Sequence, residues 1–303
     1  QDARGAVDHP RLVAHAQQLL ARGVDGVVPF GTTGEGPSFG VGERIAGLDA
    51  LLAAGVPPTR IVAATGCAAL PDTTALTRHA IAAGCAGALV MPPFFFKGLT
   101  DDGVYAGYAR MIDAVADPRL RLYLYHIPQV TAVPIAASVI ARLLADYPGV
   151  VAGLKDSEGD LAHSTGVLAR FPGLHVLVGH EPHLPAMLAA GGAGTVCGIA
   201  NLYPGLIRRL HDHAATGADT AREQAAVKAF LAAALPYPML PAFKALAAAL
   251  TGDATWETVR PPLAPLSAGD AAAFVAAITA SPLGAEPSFC ARDDAVSGRA
   301  GPV

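Results

Sequence analysis

The chain has four lysines: Lys97, Lys155, Lys228 and Lys244. Lys228 and Lys244 fall in Ala/Leu-rich stretches of helical spacing, where a solvated ammonium is the ordinary outcome. Lys97 follows Pro92-Pro93-Phe94-Phe95-Phe96 in a loop. Only Lys155 directly ends an apolar run, Val150-Val151-Ala152-Gly153-Leu154. A lysine there holds its amine in, or over, whatever lies beyond the strand end, and burial disfavours the charged form. A neutral amine so placed attacks carbonyls and forms a Schiff base. The alternative is a structural ion pair with Asp156 or Glu35.

Other polar groups follow apolar runs in the same way. Gly31-Thr32-Thr33-Gly34-Glu35-Gly36 offers two hydroxyls and backbone N–H groups from a turn. Glycine lets backbone approach a small anion closely, so a carboxylate or phosphate suits it. It is neither GxGxxG nor a Walker A loop, and Glu35 opposes a polyphosphate. The alternative is a turn capping the helix that starts near Ser38. Tyr125 ends its run beside His126, and a phenol there can relay a proton. Ser157, Glu181 (in Gly179-His180-Glu181) and Asn201 complete the set. The remaining histidines, His15 and His163 among them, read as surface groups. His211 and His213 are two apart, which puts them on different helix faces, so no metal pair is expected.

Something must bring these run ends together. Strand-like runs occur at 24–30, 60–65, 87–91, 120–125, 150–154, 174–178 and 194–199. They are short, continuous and rich in β-branched residues, as strands buried on both faces are. Helical spacing fills the intervals, for example Leu12–Ala21, Thr73–Ala83 and Asp101–Val115. Strand then helix, seven times over, predicts an α/β fold with a parallel sheet. A (β/α)8 TIM barrel leads, and a doubly wound open sheet follows. In a barrel the polar groups named above share one mouth. Eight strands are needed and seven runs are found. The helix near Pro10–Ala21 has no strand before it, which suggests a first strand missing or truncated in this chain. We expect the barrel over 1–201, a C-terminal helical extension over 202–280, and a disordered Gly/Pro-rich tail over 281–303.

Composition narrows the function. Of the 303 residues, 52% are hydrophobic and 15% charged, which rules out a mostly disordered chain. No apolar run reaches the ~18 residues of a membrane span without interruption. The net charge of −4, the lack of a basic run and 6% aromatics exclude nucleic acid as a partner. Cys67, Cys85, Cys197 and Cys290 have neither CxxC nor zinc-finger spacing, so we expect unpaired thiols and a reducing compartment, the cytoplasm.

The chain resembles the dihydrodipicolinate synthase / N-acetylneuraminate lyase family of class I aldolases over roughly residues 5–280. The motifs are Gly31-Thr32-Thr33-Gly34-Glu35, Tyr125-x-Ile127-Pro128, Gly153-Leu154-Lys155-Asp156, Gly179-x-Glu181, Gly191-Gly192-Ala193-Gly194 through Asn201, and Arg260-Pro261-Pro262-Leu263. The resemblance implies that Lys155 forms a Schiff base with the C2 carbonyl of a pyruvate unit. It implies that Thr32 and Thr33, with Gly34 and backbone near Val196, hold the pyruvate carboxylate. Tyr125 passes the proton, and Ser157 and Glu181 stand where substrate hydroxyls bind. No cofactor beyond the lysine and no metal is implied; the partners are a small 2-oxo acid and further copies of the chain, as a dimer or tetramer. Two positions depart. Val130 stands where the synthases carry an arginine for the semialdehyde carboxylate. Phe94-Phe95-Phe96 stands where they carry a tyrosine that reaches the neighbouring subunit. Both departures point away from lysine biosynthesis and towards reversible cleavage of a 2-oxo-3-deoxy sugar acid to pyruvate and an aldehyde. The alternatives are condensation of pyruvate with an aldehyde, dehydration of an oxo-deoxy acid, and a non-catalytic oxo-acid-binding barrel.

Overall fold

The computed structural model of the chain describes residues 1–2 and 4–291. Six strands form one sheet: β1 (Val62–Ala64), β2 (Gly87–Val90), β3 (Leu122–His126), β4 (Val151–Asp156), β5 (His175–Val178) and β6 (Gly194–Thr195). All neighbours are parallel, and their order in space is their order in the chain. Helices α1 (His9–Ala21), α2 (Val41–Ala53), α3 (Leu70–Ala82), α4 (Asp101–Val115), α5 (Pro128–Thr131), α6 (Ala137–Asp146), α7 (Leu161–Arg170) and α8 (Leu184–Ala189) lie before or between them. Then come α9 (Pro204–Thr216), α10 (Ala221–Ala234), α11 (Met239–Thr251) and α12 (Ala268–Thr279).

Strand alternation sorts the side chains onto two faces. Ala88, Val90, Leu122, Leu124, Leu154, Val176 and Val178 point outward into the main core shared with the helices. Each of the valine and leucine side chains among them contributes about 1.5–3 kcal/mol when fully buried. The residues between them point inward, where Leu89 and Tyr125 pack against Val28, Val62 and Tyr123. Lys155 lies between outward Leu154 and Asp156, so it shares the inner face with Tyr125.

The expected strand at 24–30 is reduced to one parallel bridge, Val27 to Ile61. Val27 N–H donates to Arg60 and Val27 O accepts from Val62, so this side is paired. Pro29 has no N–H to offer, and Phe30 turns into the left-handed region at φ 58°, which ends the extension. The opposite edge of 24–28 faces residues 193–196 across a cavity of about 500 Å³. The sheet therefore curls until its two ends look at each other. Among the described residues, the strand positions number six plus this bridge, against the seven runs read from sequence.

The predicted tail begins differently. Residues 282–285 make a 3-10 turn, Leu283 and Phe289 are buried, and Phe289 N–H donates to Leu202. Two apolar anchors are enough to hold the chain to Ala291 against the core; 292–303 lie outside the described residues. Among the described residues no single helix is long and apolar enough to cross a membrane.

Candidate active site

Tyr125 and Lys155 are register partners on β3 and β4. The Lys155 amine lies over the Tyr125 ring, 4.2 Å from its centroid. It makes no ion pair among the described residues. Both carboxylates that sequence offered as partners are engaged elsewhere. Glu35 pairs with Lys244, and Asp156 faces outward to His163 and Ser164. Neither of those ion pairs is formed, and the amine meets an aromatic face and the cavity it lines.

The Tyr125 hydroxyl reaches across to the loop after residue 30, where Thr32 Oγ1 lies 3.1 Å away. That loop is tight. Glu35 N–H donates to Thr32 O, and Gly36 N–H donates to Gly31 O. Gly36 is required here, because a Cβ would lie 1.8 Å from Phe30 O. Glu35 is buried at φ 53° and takes hydrogen bonds from Lys244 and Gln1. Arg260 braces the loop from behind through Gly5 O, Ser38 O and Glu43. The late Arg-Pro-Pro-Leu segment therefore acts as a strut for the threonine loop.

The remaining candidates divide. Thr32, Thr33, Gly34, Lys155 and Val196 all line the large cavity. Thr33 and Gly34 also border a smaller one of about 180 Å³ behind the loop. Val196 N–H already donates to Val178 O, so the backbone donor expected there is occupied. Ser157 is not on the cavity wall; its hydroxyl is packed against Gly179, where a Cβ would lie 1.9 Å from it. Glu181 is buried, accepts from Ile199 N–H at 3.3 Å, and supports the 197–201 segment from below. Burial is the main cause that pushes its carboxyl above the usual range.

Two histidines read as surface groups, His15 and His163, are packed against other side chains, and His126 lies in the core. His15 packs edge-on to Trp256 and Phe289, between the two cavities. Its signal was its place on the apolar stripe Leu12, Ala16, Leu19. His126 is buried, and His163 stacks on it at 4.4 Å. With Asp156 and Glu158 they bring four ligand atoms within 4.8 Å, the one grouping among the described residues that could be weighed as a metal seat. The four cysteines are unpaired.

The chain is similar to known proteins over most of its length. The model of the family described as "Dihydrodipicolinate synthetase family" matches residues 1–281. An uncharacterized DapA-like lyase of Chloroflexus aurantiacus is 40% identical over 274 residues, covering 90% of each chain. The crystal structure of dihydrodipicolinate synthase from Agrobacterium tumefaciens superposes with TM-score 0.85 at 34% identity, covering 92% of this chain and 95% of that one. The structure of KD(P)GA from T. tenax gives TM-score 0.79 at 25% identity, covering 91% and 93%.

Proposed function

The chain belongs to the dihydrodipicolinate synthetase family, and on that premise we propose that it is a lysine Schiff-base lyase that reversibly cleaves a 2-oxo-3-deoxy sugar acid into pyruvate and an aldehyde. The observation that carries this reading is the amine of Lys155, without an ion-pair partner among the described residues, over the ring of Tyr125, whose hydroxyl meets Thr32. Lys155 attacks C2 of the oxo acid and water leaves. The protonated imine then accepts the electron pair of the breaking C3–C4 bond, so no metal is called for. Tyr125, hydrogen-bonded to Thr32, takes the proton from the C4 hydroxyl as the aldehyde departs. The enamine left on Lys155 is then protonated at C3, and water hydrolyses the resulting imine to release pyruvate and restore the free amine. Thr32, Thr33 and Gly34 offer the hydroxyls and turn backbone for the carboxylate. Val196 contributes wall surface there. Ser157 and Glu181 shape the walls behind the 179 and 197–201 segments, and substrate hydroxyls reach them only if these segments shift.

The likeness to a dihydrodipicolinate synthase at 34% identity favours a second reading, condensation of pyruvate with an aldehyde. Val130 argues against that enzyme's substrate. It is 59% exposed on α5, an apolar group where a semialdehyde carboxylate would need a cation. Phe95 and Phe96 are also exposed on the loop after β2. Exposed apolar rings of this size suit a subunit contact, so we read the protein as a cytoplasmic homo-oligomer, a dimer or tetramer. We read the curled sheet as a (β/α)8-type barrel, with residues 202–280 as its helical extension.

The test is reductive trapping. Pyruvate plus borohydride adds one pyruvate-derived mass to Lys155, and Lys155→Ala abolishes it. Label on another lysine, or none, defeats the assignment. Screening oxo-deoxy sugar acids for pyruvate release, against aldehydes for pyruvate consumption, separates cleavage from condensation.

A further inference from the structure

Among the described residues Lys155 has no polar tether of its own, so its place over Tyr125 is set by the backbone of β4 relative to β3. The β3–β4 pairing changes register between Leu122 and Tyr123: Leu122 faces Val151, and Tyr123 already faces Gly153. From Tyr123 to His126 the pairing is regular, and a slip of one residue there would send Lys155 to the opposite face. A tie at the upper end, beyond the irregular lower end, adds to these four pairs.

The next residues along each strand, His126 and Asp156, are also partners, and they point outward. Asp156 is fully buried, and its Oδ2 accepts from His163 Nδ1 at 2.7 Å and from Ser164 Oγ at 2.7 Å, both on α7. Its Oδ1 accepts from Glu158 N–H at 3.0 Å. His126 Nδ1 accepts from Ile135 N–H at 3.1 Å, and its Nε2 lies 3.2 Å from Glu158 Oε2. The two imidazoles stack with an interplanar angle of 19°. Four segments are thus tied at one point: the ends of β3 and β4, the start of α7, and the turn before α6.

The tautomer decides what this cluster is. An Nδ1 that accepts a backbone N–H carries no proton, so His126 Nε2 holds it and donates to Glu158. A metal on that nitrogen would require an imidazolate. The cluster is therefore a hydrogen-bonded clamp. We propose that His163, Asp156 and His126 are positioning residues, which hold the β3–β4 register from the outer face and thereby set the Lys155 amine over Tyr125 on the inner face. This rests on the Schiff-base reading above.

The experiment measures borohydride trapping of pyruvate on Lys155 against pyruvate concentration, in the wild type, His163→Ala and His163→Asn. Asparagine places an N–H donor close to where Nδ1 lies; alanine does not. His163→Ala lowers the maximal trapping rate about tenfold or more, the scale of a displaced reacting group. The half-saturating pyruvate concentration stays within about twofold, because the threonine loop is untouched. His163→Asn recovers most of the rate, while the melting temperatures of the two variants match. An unchanged rate in His163→Ala, or equal loss in both variants, overturns the clamp and leaves the Schiff base standing. A wild type that takes no label removes both together. A rise in wild-type melting temperature with added Zn²⁺ that His163→Ala abolishes overturns the clamp in favour of a metal seat.

Discussion

Lowering the pH from 7.5 to 4.5 should weaken this protein through one ring. His15 projects from α1 between the two cavities, with Trp256 and Phe289 edge-on at 5.3 and 4.8 Å. Its Nε2 lies 3.4 Å from Asn201 Oδ1, and its Nδ1 is buried with no partner among the described residues. Burial pushes the imidazole down from 6.5 to about 4, partly opposed by the contact with Asn201. The unfolded chain thus binds this proton near pH 6.5 and the folded chain only near pH 4. Between those values the unfolded state holds more protons, so stability falls as pH falls through the window, and is unaffected by this group above it. A displacement of that size corresponds to about 3 kcal/mol at pH 4, which residual solvent contact of the ring reduces to about 2 kcal/mol. His15→Gln keeps a donor for Asn201 and cannot titrate. Urea unfolding of both proteins at pH 7.5 and 4.5 measures the effect. The variant should lose about 2 kcal/mol less than the wild type on acidification. Some loss remains in both, because burial also lowers His126 and His180. Equal losses in the two proteins would refute the reasoning, and would mean that the ring is hydrated rather than confined by its aromatic neighbours.

Other expectations concern the loop and its braces. Thr32→Val removes the partner of the Tyr125 hydroxyl; pyruvate release from an oxo-deoxy acid should fall about 10–100-fold while trapping on Lys155 persists. Equal loss of trapping would instead make Thr32 a carboxylate ligand alone. Lys244→Met strands the buried Glu35 carboxylate and should cost about 3–5 kcal/mol in urea unfolding. The double variant with Glu35→Gln should recover a clear part of that; no recovery would show that Lys244 acts through packing.

The alternation of chain segments was readable because parallel strands buried on both faces need continuous apolar runs, and 87–91 and 120–125 have them. Lys155 was readable for the same reason: a lone cation at the end of such a run has few places to go. Its freedom from Asp156 was not, since it depends on the strand pleat sending neighbours to opposite faces and on His163 waiting there. The 24–30 run misled because apolar content says nothing about which edges find partners. Ser157 and Glu181 were read from their places after strand-like runs and from the motif; the packing of Ser157 against Gly179 and the burial of Glu181 below Ile199 are matters that spacing does not encode. His15 could have been found by its helical stripe, had it been read as part of the apolar face.

The braces of the threonine loop have an implication for synthesis. Glu43 and Gly5 wait for Arg260, and Glu35 waits for Lys244, partners 217, 255 and 209 positions downstream. A chain emerging from the ribosome can form its early strands and helices long before those residues exist. The loop bearing Thr32 and Thr33 therefore gains its braces only after residues far downstream have been made, and a chain cut short before Lys244 would carry Lys155 with that loop unbraced.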